Sequence, residues 1–264
     1  MPLSPIGAAA IGTGFTFLMT ALGAAMVFFF RKKGSDNMQR VFLGFAAGVM
    51  IAASVWSLLI PAIEETEAAG RPGWIPAAGG LALGAAFLML MDRLLPHLHP
   101  GALQAEGPHA SFKRTTLLVF AVTLHNIPEG MAVGLSFARA AQEGQFSYLA
   151  GAMALAIGIG VQNFPEGAAI SLPLRQEGLS PFRSFVYGSI SGLVEPIFGI
   201  LVVLASAAIQ PYMPWLLSFA AGAMLYVVVE ELIPEAHLGE HSHPGTLGVL
   251  AGFLGMMILD TALG

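Results

Sequence analysis

The chain of 264 residues contains no cysteine. That absence excludes disulfides, thiol nucleophiles and thiolate metal ligands, and leaves His, carboxylate, amide and thioether donors for any metal site. Charge is nearly as scarce. Asp, Glu, Lys and Arg make up 10% of the residues and hydrophobic types 56%, whereas a soluble domain carries about 25% charge; mean hydropathy is +0.75. This is the composition of an integral membrane protein, with the lipid bilayer as its first partner. The 11 basic residues are scattered and the formal net charge is −5, so the patch that a nucleic-acid partner needs is missing. The N-terminal apolar run has no basic segment before it and Arg31-Lys32-Lys33 after it. It reads as a retained first span rather than a cleaved leader.

A bilayer core takes roughly 20 helical residues to cross. On that ruler the sequence predicts an all-α integral membrane protein of eight transmembrane helices, at about 6–30, 41–64, 75–95, 114–138, 148–172, 183–208, 213–235 and 245–262. Residues 1–264 then form a single transmembrane domain. Placing the odd-numbered loops inside gathers Arg31, Lys32, Lys33, Arg40, Arg93, Lys113, Arg114, Arg175 and Arg183 there, and leaves only Arg71 and Arg139 outside. The positive-inside rule therefore puts both termini outside the cytoplasm, in a multi-pass protein of a cell membrane.

The chain repeats itself. "FAAGVM" at residues 45–50 and "FAAGAM" at 219–224 are each followed by a Leu-Ile-Pro ending, Leu59-Ile60-Pro61 and Leu232-Ile233-Pro234. Because the two copies lie in spans of opposite direction, the plan is one of inverted-topology repeats. "LHNIPEG" at 124–130 and "VQNFPEG" at 161–167 make a second pair, in consecutive spans.

Those two strings place polar groups where they are expensive. His125, Gln162 and, in "SGLVEPIFG", Glu195 each fall near the middle of an apolar span. An ionised carboxylate there costs roughly 3 kcal/mol even on the lenient insertion scale, and no Lys or Arg occupies a central span position. Glu129, Glu166 and Glu195 thus call for a cation or for protons. Spacing favours a metal. His125 and Glu129 share a helix face at i, i+4, as do Gln162 and Glu166, while Asn126 and Asn163 each stand three residues before the Glu. Pro128 and Pro165 lack the helical N–H, so the carbonyls of Leu124 and Val161 are released. Imidazole, carboxylate and amide donors suit a first-row divalent ion such as Zn²⁺ and not the all-oxygen cage of Mg²⁺ or Ca²⁺. Met50, near the middle of the second span, either supplies a soft thioether or is plain apolar filler.

Other polar groups are read less sharply. Glu64 and Glu65 end the second span, and Glu230, Glu231, Glu235 and His237 end the seventh. They form relays at the two mouths of a pathway or simply cap helix ends in water. His97, His99 and His109 in the third loop, with His241 and His243 in the seventh, either collect metal or are ordinary loop histidines. Gly80 and Gly84, Gly188 and Gly192, and Gly248 and Gly252 have the spacing of close helix packing.

"HNIPEG", "QNFPEG" and the following Glu195 resemble the ZIP (Zrt/Irt-like) family of divalent-metal transporters, over the whole chain and in motif order. The resemblance implies a bacterial inner-membrane transporter, no enzyme, assembly as a homodimer, and no cofactor beyond the transported metal. It implies a binuclear site: His125, Glu129, Gln162, Glu166 and Glu195 around one ion, and Asn126, Asn163, Glu129, Glu166, Glu195 and Met50 around the second. It also implies movement of Zn²⁺, or of Fe²⁺, Mn²⁺, Co²⁺ or Cd²⁺, toward the cytoplasm by sliding spans one, four, five and six against the other four. Asn163 departs from relatives that carry an acidic residue there. Two other readings stand beside transport of metal: an intramembrane zinc hydrolase, for which the HExxH string is missing, and a proton-coupled carrier, which leaves the His, Gln and Asn without a role.

Overall fold

A computed structural model describes residues 4–29, 36–94, 114–143, 146–176, 178–236 and 243–263. These residues are helical, with no strand among them. The helices are α1 (Pro5–Ala24, continued by a 3₁₀ turn Ala25–Phe28), α2 (Asp36–Ala53, a π turn Ser54–Leu59, then Ile60–Ala68), α3 (Trp74–Leu94), α4 (Arg114–Glu143) and α5 (Phe146–Gln176). Then follow α6 (Pro181–Ser191 and Val194–Leu204), short connecting turns (Ser206–Ile209, Gln210–Tyr212), α7 (Met213–Val227, a π turn Val228–Leu232, then Ile233–Ala236) and α8 (His243–Leu263). Seven of these helical units combine the length and apolarity needed to cross a membrane. The remaining one, α4, has 30 residues, about 45 Å at 1.5 Å per residue, but is interrupted by His125, Asn126 and Glu129. The protein is a multi-pass membrane protein.

Local sequence explains where the helices start, kink and break. Ser4 and Ser180 cap α1 and α6, their hydroxyl oxygens accepting from the N–H groups of Gly7 and Arg183 at 3.1 and 3.3 Å, each followed by a proline at the first helical position. The repeated Leu-Ile-Pro endings have a shared structural consequence. Each stands at the C-terminal side of a π turn, Ser54–Leu59 in α2 and Val228–Leu232 in α7. Pro61 and Pro234 cannot donate to the carbonyls of Ser57 and Glu230, and the wider π turn absorbs the mismatch.

The sequence predicts a continuous sixth span at 183–208, and here the structure differs. Helix α6 breaks at Gly192-Leu193 and restarts at Val194, so that Glu195 sits in the first turn of the second half. Pro196 would have to bond the carbonyl of Gly192, and lacks the N–H to do so. The break gives Glu195 the favourable end of a helix dipole.

Packing divides the helices into two groups. Helix α1 lies along α5 and α4 along α6, making one bundle with many contacts among the four. Helix α8 lies along α2 and α3 along α7, making the other. Inside each bundle, glycines let backbones touch. A Cβ at Gly48 would overlap the carbonyl of Val249, one at Gly252 that of Phe45, and one at Gly84 that of Phe219; Gly23 and Gly167 meet the carbonyls of Phe164 and Thr20, and Gly130 the backbone of Glu195. The expected packing role of Gly80, Gly84, Gly248 and Gly252 is what the structure has, and Gly188 and Gly192 likewise face Ala24 and Thr20.

Candidate metal centre

The polar motifs of α4 and α5 face each other and α6. Asn126, Gln162, Asn163 and Glu195 are fully buried, Glu129 is 1% exposed and His125 6%. Each motif lies in helix that continues past its proline, which keeps the i, i+4 and i, i+3 donors on one side.

An amide chain connects the carboxylates. Gln162 Nε2 donates to Glu129 Oε1 at 2.8 Å and to Asn163 Oδ1 at 2.8 Å. Asn163 Nδ2 in turn donates to both oxygens of Glu195 at 2.9 Å. From α1, the Thr20 hydroxyl reaches Glu195 Oε1 at 3.4 Å, and the Thr16 carbonyl accepts from Asn163 at 3.4 Å. Asn126 Nδ2 donates to the carbonyl of Ser191 at 3.0 Å, on the turn where α6 breaks.

This arrangement uses the N–H groups and strands the oxygens. Asn126 Oδ1, Glu129 Oε2 and Gln162 Oε1 are buried and accept no hydrogen bond. Buried polar atoms are almost always paired, and each unpaired one costs about 1–3 kcal/mol. Oxygen acceptors left over on neighbouring helix turns are what a desolvated cation satisfies.

A narrow cavity, open at its mouth, reaches this cluster. Met50, His125, Glu129 and Glu166 line it together with Glu231 and Glu235 of α7, and Leu43, Val122, Ile170 and Leu232 make its apolar wall. Met50, the last residue of "FAAGVM" in α2, comes from the other bundle, so the helix with the first copy of that repeat also borders the cluster. Glu231 is closer than its place at a span end implies: its Oε1 stands 2.6 Å from His125 Nε2, both side chains being less than 8% exposed. Among the described residues no three His, Asp or Glu side chains enclose an ion unaided. An ion held by these residues would have to take His125 from Glu231 and, to use Glu195, compete with Asn163.

The remaining predicted positions separate. Glu235 lines the cavity, Glu230 and Glu64 are exposed, and His243 is exposed at the start of α8. Glu65 is turned to Arg139 rather than to the cluster. His97, His99, His109, His237 and His241 lie outside the described residues. Sequence reasoning missed three things: the partnership of Glu231 with His125, the threonines of α1, and Asp260 of α8, whose two oxygens accept from the Ser57 hydroxyl at 2.8 Å. A signal existed for the threonines. Thr13, Thr16 and Thr20 recur on one face of an apolar helix, and all are fully buried.

Comparison with known proteins agrees with the geometry. The profile of the family described as ZIP Zinc transporter matches residues 103–260, which contain both proline motifs and Glu195. The chain belongs to the ZIP family. Among similar ZIP proteins, the zinc transporter ZIPB of Bordetella bronchiseptica is 40% identical, over 98% of this chain and 82% of its own. The zinc transporter GufA of Myxococcus xanthus is 37% identical over 98% of this chain and all of its own length. The human zinc transporter ZIP11 is 37% identical over 99% and 98%. ZIP membership makes the chain a transporter, not an enzyme, and removes the hydrolase reading.

Proposed function

We propose that this chain carries divalent metal ions, zinc foremost, across a membrane toward the cytoplasm, with the α4–α5–α6 cluster as the transport site. One observation carries the reading: three buried oxygens, Asn126 Oδ1, Glu129 Oε2 and Gln162 Oε1, have no hydrogen-bond partner beside a cavity lined by His125, Glu166 and Met50. A proton carrier needs the glutamates alone and gives no reason for unpaired amide oxygens. The zinc named for ZIPB, GufA and ZIP11 supports zinc here, and the donor set accepts Fe²⁺, Mn²⁺, Co²⁺ and Cd²⁺ as well.

The topology we assign has eight crossings in inverted repeats, both termini outside the cytoplasm, in a bacterial inner membrane and as a homodimer. Basic-residue asymmetry supports the orientation, and the paired π turns of α2 and α7 support the repeat. Transport proceeds by one bundle sliding on the other. Its physical support lies in the seams: backbone-to-backbone glycine contacts lock each bundle internally, while Gly158, at the seam between bundles, meets the side chains of Met256 and Val49, which can yield.

The site is binuclear with unequal halves. Asn163 gives both carboxylate oxygens of Glu195 an N–H, which satisfies that carboxylate without a second ion; an ionised Asp could not donate. One ion binds tightly and a second weakly. The deciding experiment is flux of radioactive zinc into liposomes holding the purified protein, with competing ions. Absence of uptake by correctly inserted, folded protein would overturn the reading.

A further inference from the structure

The two bundles are tied across their seam by polar side-chain contacts at two heights, and both start from α4. His125 reaches Glu231 of α7 at the site. About 14 residues further along α4, close to four turns and about 21 Å, Arg139 reaches Glu65 of α2, with Nε to Oε2 at 3.5 Å. The first pair borders the open cavity. The second lies at the end of the seam away from it, where Val133, between Glu129 and Arg139 on α4, is fully buried.

Arg139 is costly where it stands. It is the one Arg or Lys that is buried among the described residues; its side chain is 10% exposed and that of Glu65 24%. At 3.5 Å, Nε and Oε2 form an ion pair rather than a close hydrogen bond. The guanidinium is also aimed from within its own bundle, since it lies 4.4 Å from the centre of the Tyr148 ring of α5 in a cation–π contact. Tyr148 therefore travels with Arg139, and Glu65 does not. A cation pre-aimed by its own bundle and paired across a moving seam is arranged to engage and release.

We propose that the Arg139–Glu65 pair is a latch of the transport cycle: it holds the far end of the seam shut while the cavity at His125 is open at the other end, and it parts whenever the bundles slide. The inference rests on the sliding motion proposed above, but not on which ion is carried. On parting, Arg139 moves toward the membrane surface and rehydrates, so the pair biases the balance between the two end states.

The absence of cysteine from the chain makes the test clean. Val133→Cys gives a single thiol whose reaction with a membrane-impermeant maleimide, applied from the side of Glu65, reports opening of that end, with no metal needed. Added to this background, Glu65→Gln leaves the guanidinium buried without its partner and is expected to speed labelling on the order of tenfold or more. Arg139→Gln is expected to speed it less, because Glu65 can turn to water, and Glu64→Gln, at an exposed carboxylate, not at all. Labelling at the parental rate in both Glu65→Gln and Arg139→Gln, in monodisperse protein with unchanged melting temperature, would overturn the proposal. A second measurement does not depend on the stability of those variants: Glu65→Cys with Arg139→Cys, bridged by a short bis-methanethiosulfonate, is expected to lose zinc flux and to regain it on reduction. Flux that continues through the bridged state would overturn the latch. Labelling that responds as expected in protein that moves no metal at all would keep the latch and reject the zinc reading.

Discussion

The two bundles are built from similar apolar helices and spend their polar residues differently. The α1–α4–α5–α6 bundle buries Asn126, Glu129, Gln162, Asn163 and Glu195 and joins them through side-chain amides. The α2–α3–α7–α8 bundle is held by glycine and alanine, with Gly44, Gly48, Gly248 and Gly252 of one helix pair interlocked, and lines the cavity with the polar or thioether side chains of Met50, Glu231 and Glu235 beside apolar Leu43, Val227 and Leu232. On the proposed function, one bundle is thus the carrier of the ligands and the other a close-packed wall. In a membrane, where lipid tails are as apolar as side chains, close van der Waals packing is what holds such a wall together. The lesson is that a site and its bearing surface place opposite demands on sequence: polar side chains that an ion completes, and small residues that leave no room for side chains at all.

That contrast breaks most sharply at the ligands. His125→Ala or Glu166→Ala is expected to abolish zinc flux, a loss beyond the roughly 10–100-fold usual for removing a group that only orients a metal ligand, with the melting temperature nearly unchanged because the cavity already reaches these residues. Liposome flux alongside thermal unfolding checks both halves.

At the wall the expectation reverses. Gly48→Ala puts a Cβ into the carbonyl of Val249, and Gly158→Ala puts one against the flexible Met256 side chain. The first should cost about 1–3 kcal/mol of stability as overpacking against immovable backbone; the second should cost less and act on transport rate. Equal loss of stability in the two, measured by thermal unfolding in detergent, would remove the distinction between locked and sliding seams.

Acidification is expected to have a moderate effect. A bound metal requires neutral His125 and ionised glutamates, so protons compete with it, and zinc affinity falls as pH falls. Titration calorimetry between pH 7.5 and pH 5.5, values chosen about a unit either side of the ordinary histidine pKa, measures this directly, and affinity that rises on acidification would contradict it. Smaller still is the expected effect of Asn163→Asp. It removes the N–H donor to Glu195 and adds a charge, so the second ion should bind more tightly while the first is little changed. Calorimetric stoichiometry at fixed pH reads the outcome.

Much of this protein is legible in its residues one at a time. The missing charge and the apolar runs dictate helices in a membrane, since only a chain that satisfies its own backbone can cross one. The His, Gln, Asn and Glu of the two proline motifs announce a site because each would be prohibitive without a partner. Pairings are a different matter. Glu231 looked like a helix-end carboxylate and Glu65 like its counterpart on the opposite face, yet one lies on His125 and the other on Arg139. Periodicity places a side chain on a helix face but is silent about which helix that face meets.

Composition and local spacing by themselves determined the helical membrane class, the repeated proline endings and which buried polar residues are candidate donors, because desolvation cost and missing N–H groups act residue by residue. Only the tertiary structure decided that α6 breaks beneath Glu195, that Asn163 is spent on that carboxylate, and that α4 grips the other bundle at two heights. Those facts depend on how the described helices pack at once, through glycine contacts and hydrogen bonds between residues as far apart as Thr20 and Glu195. No window of the chain contains both partners.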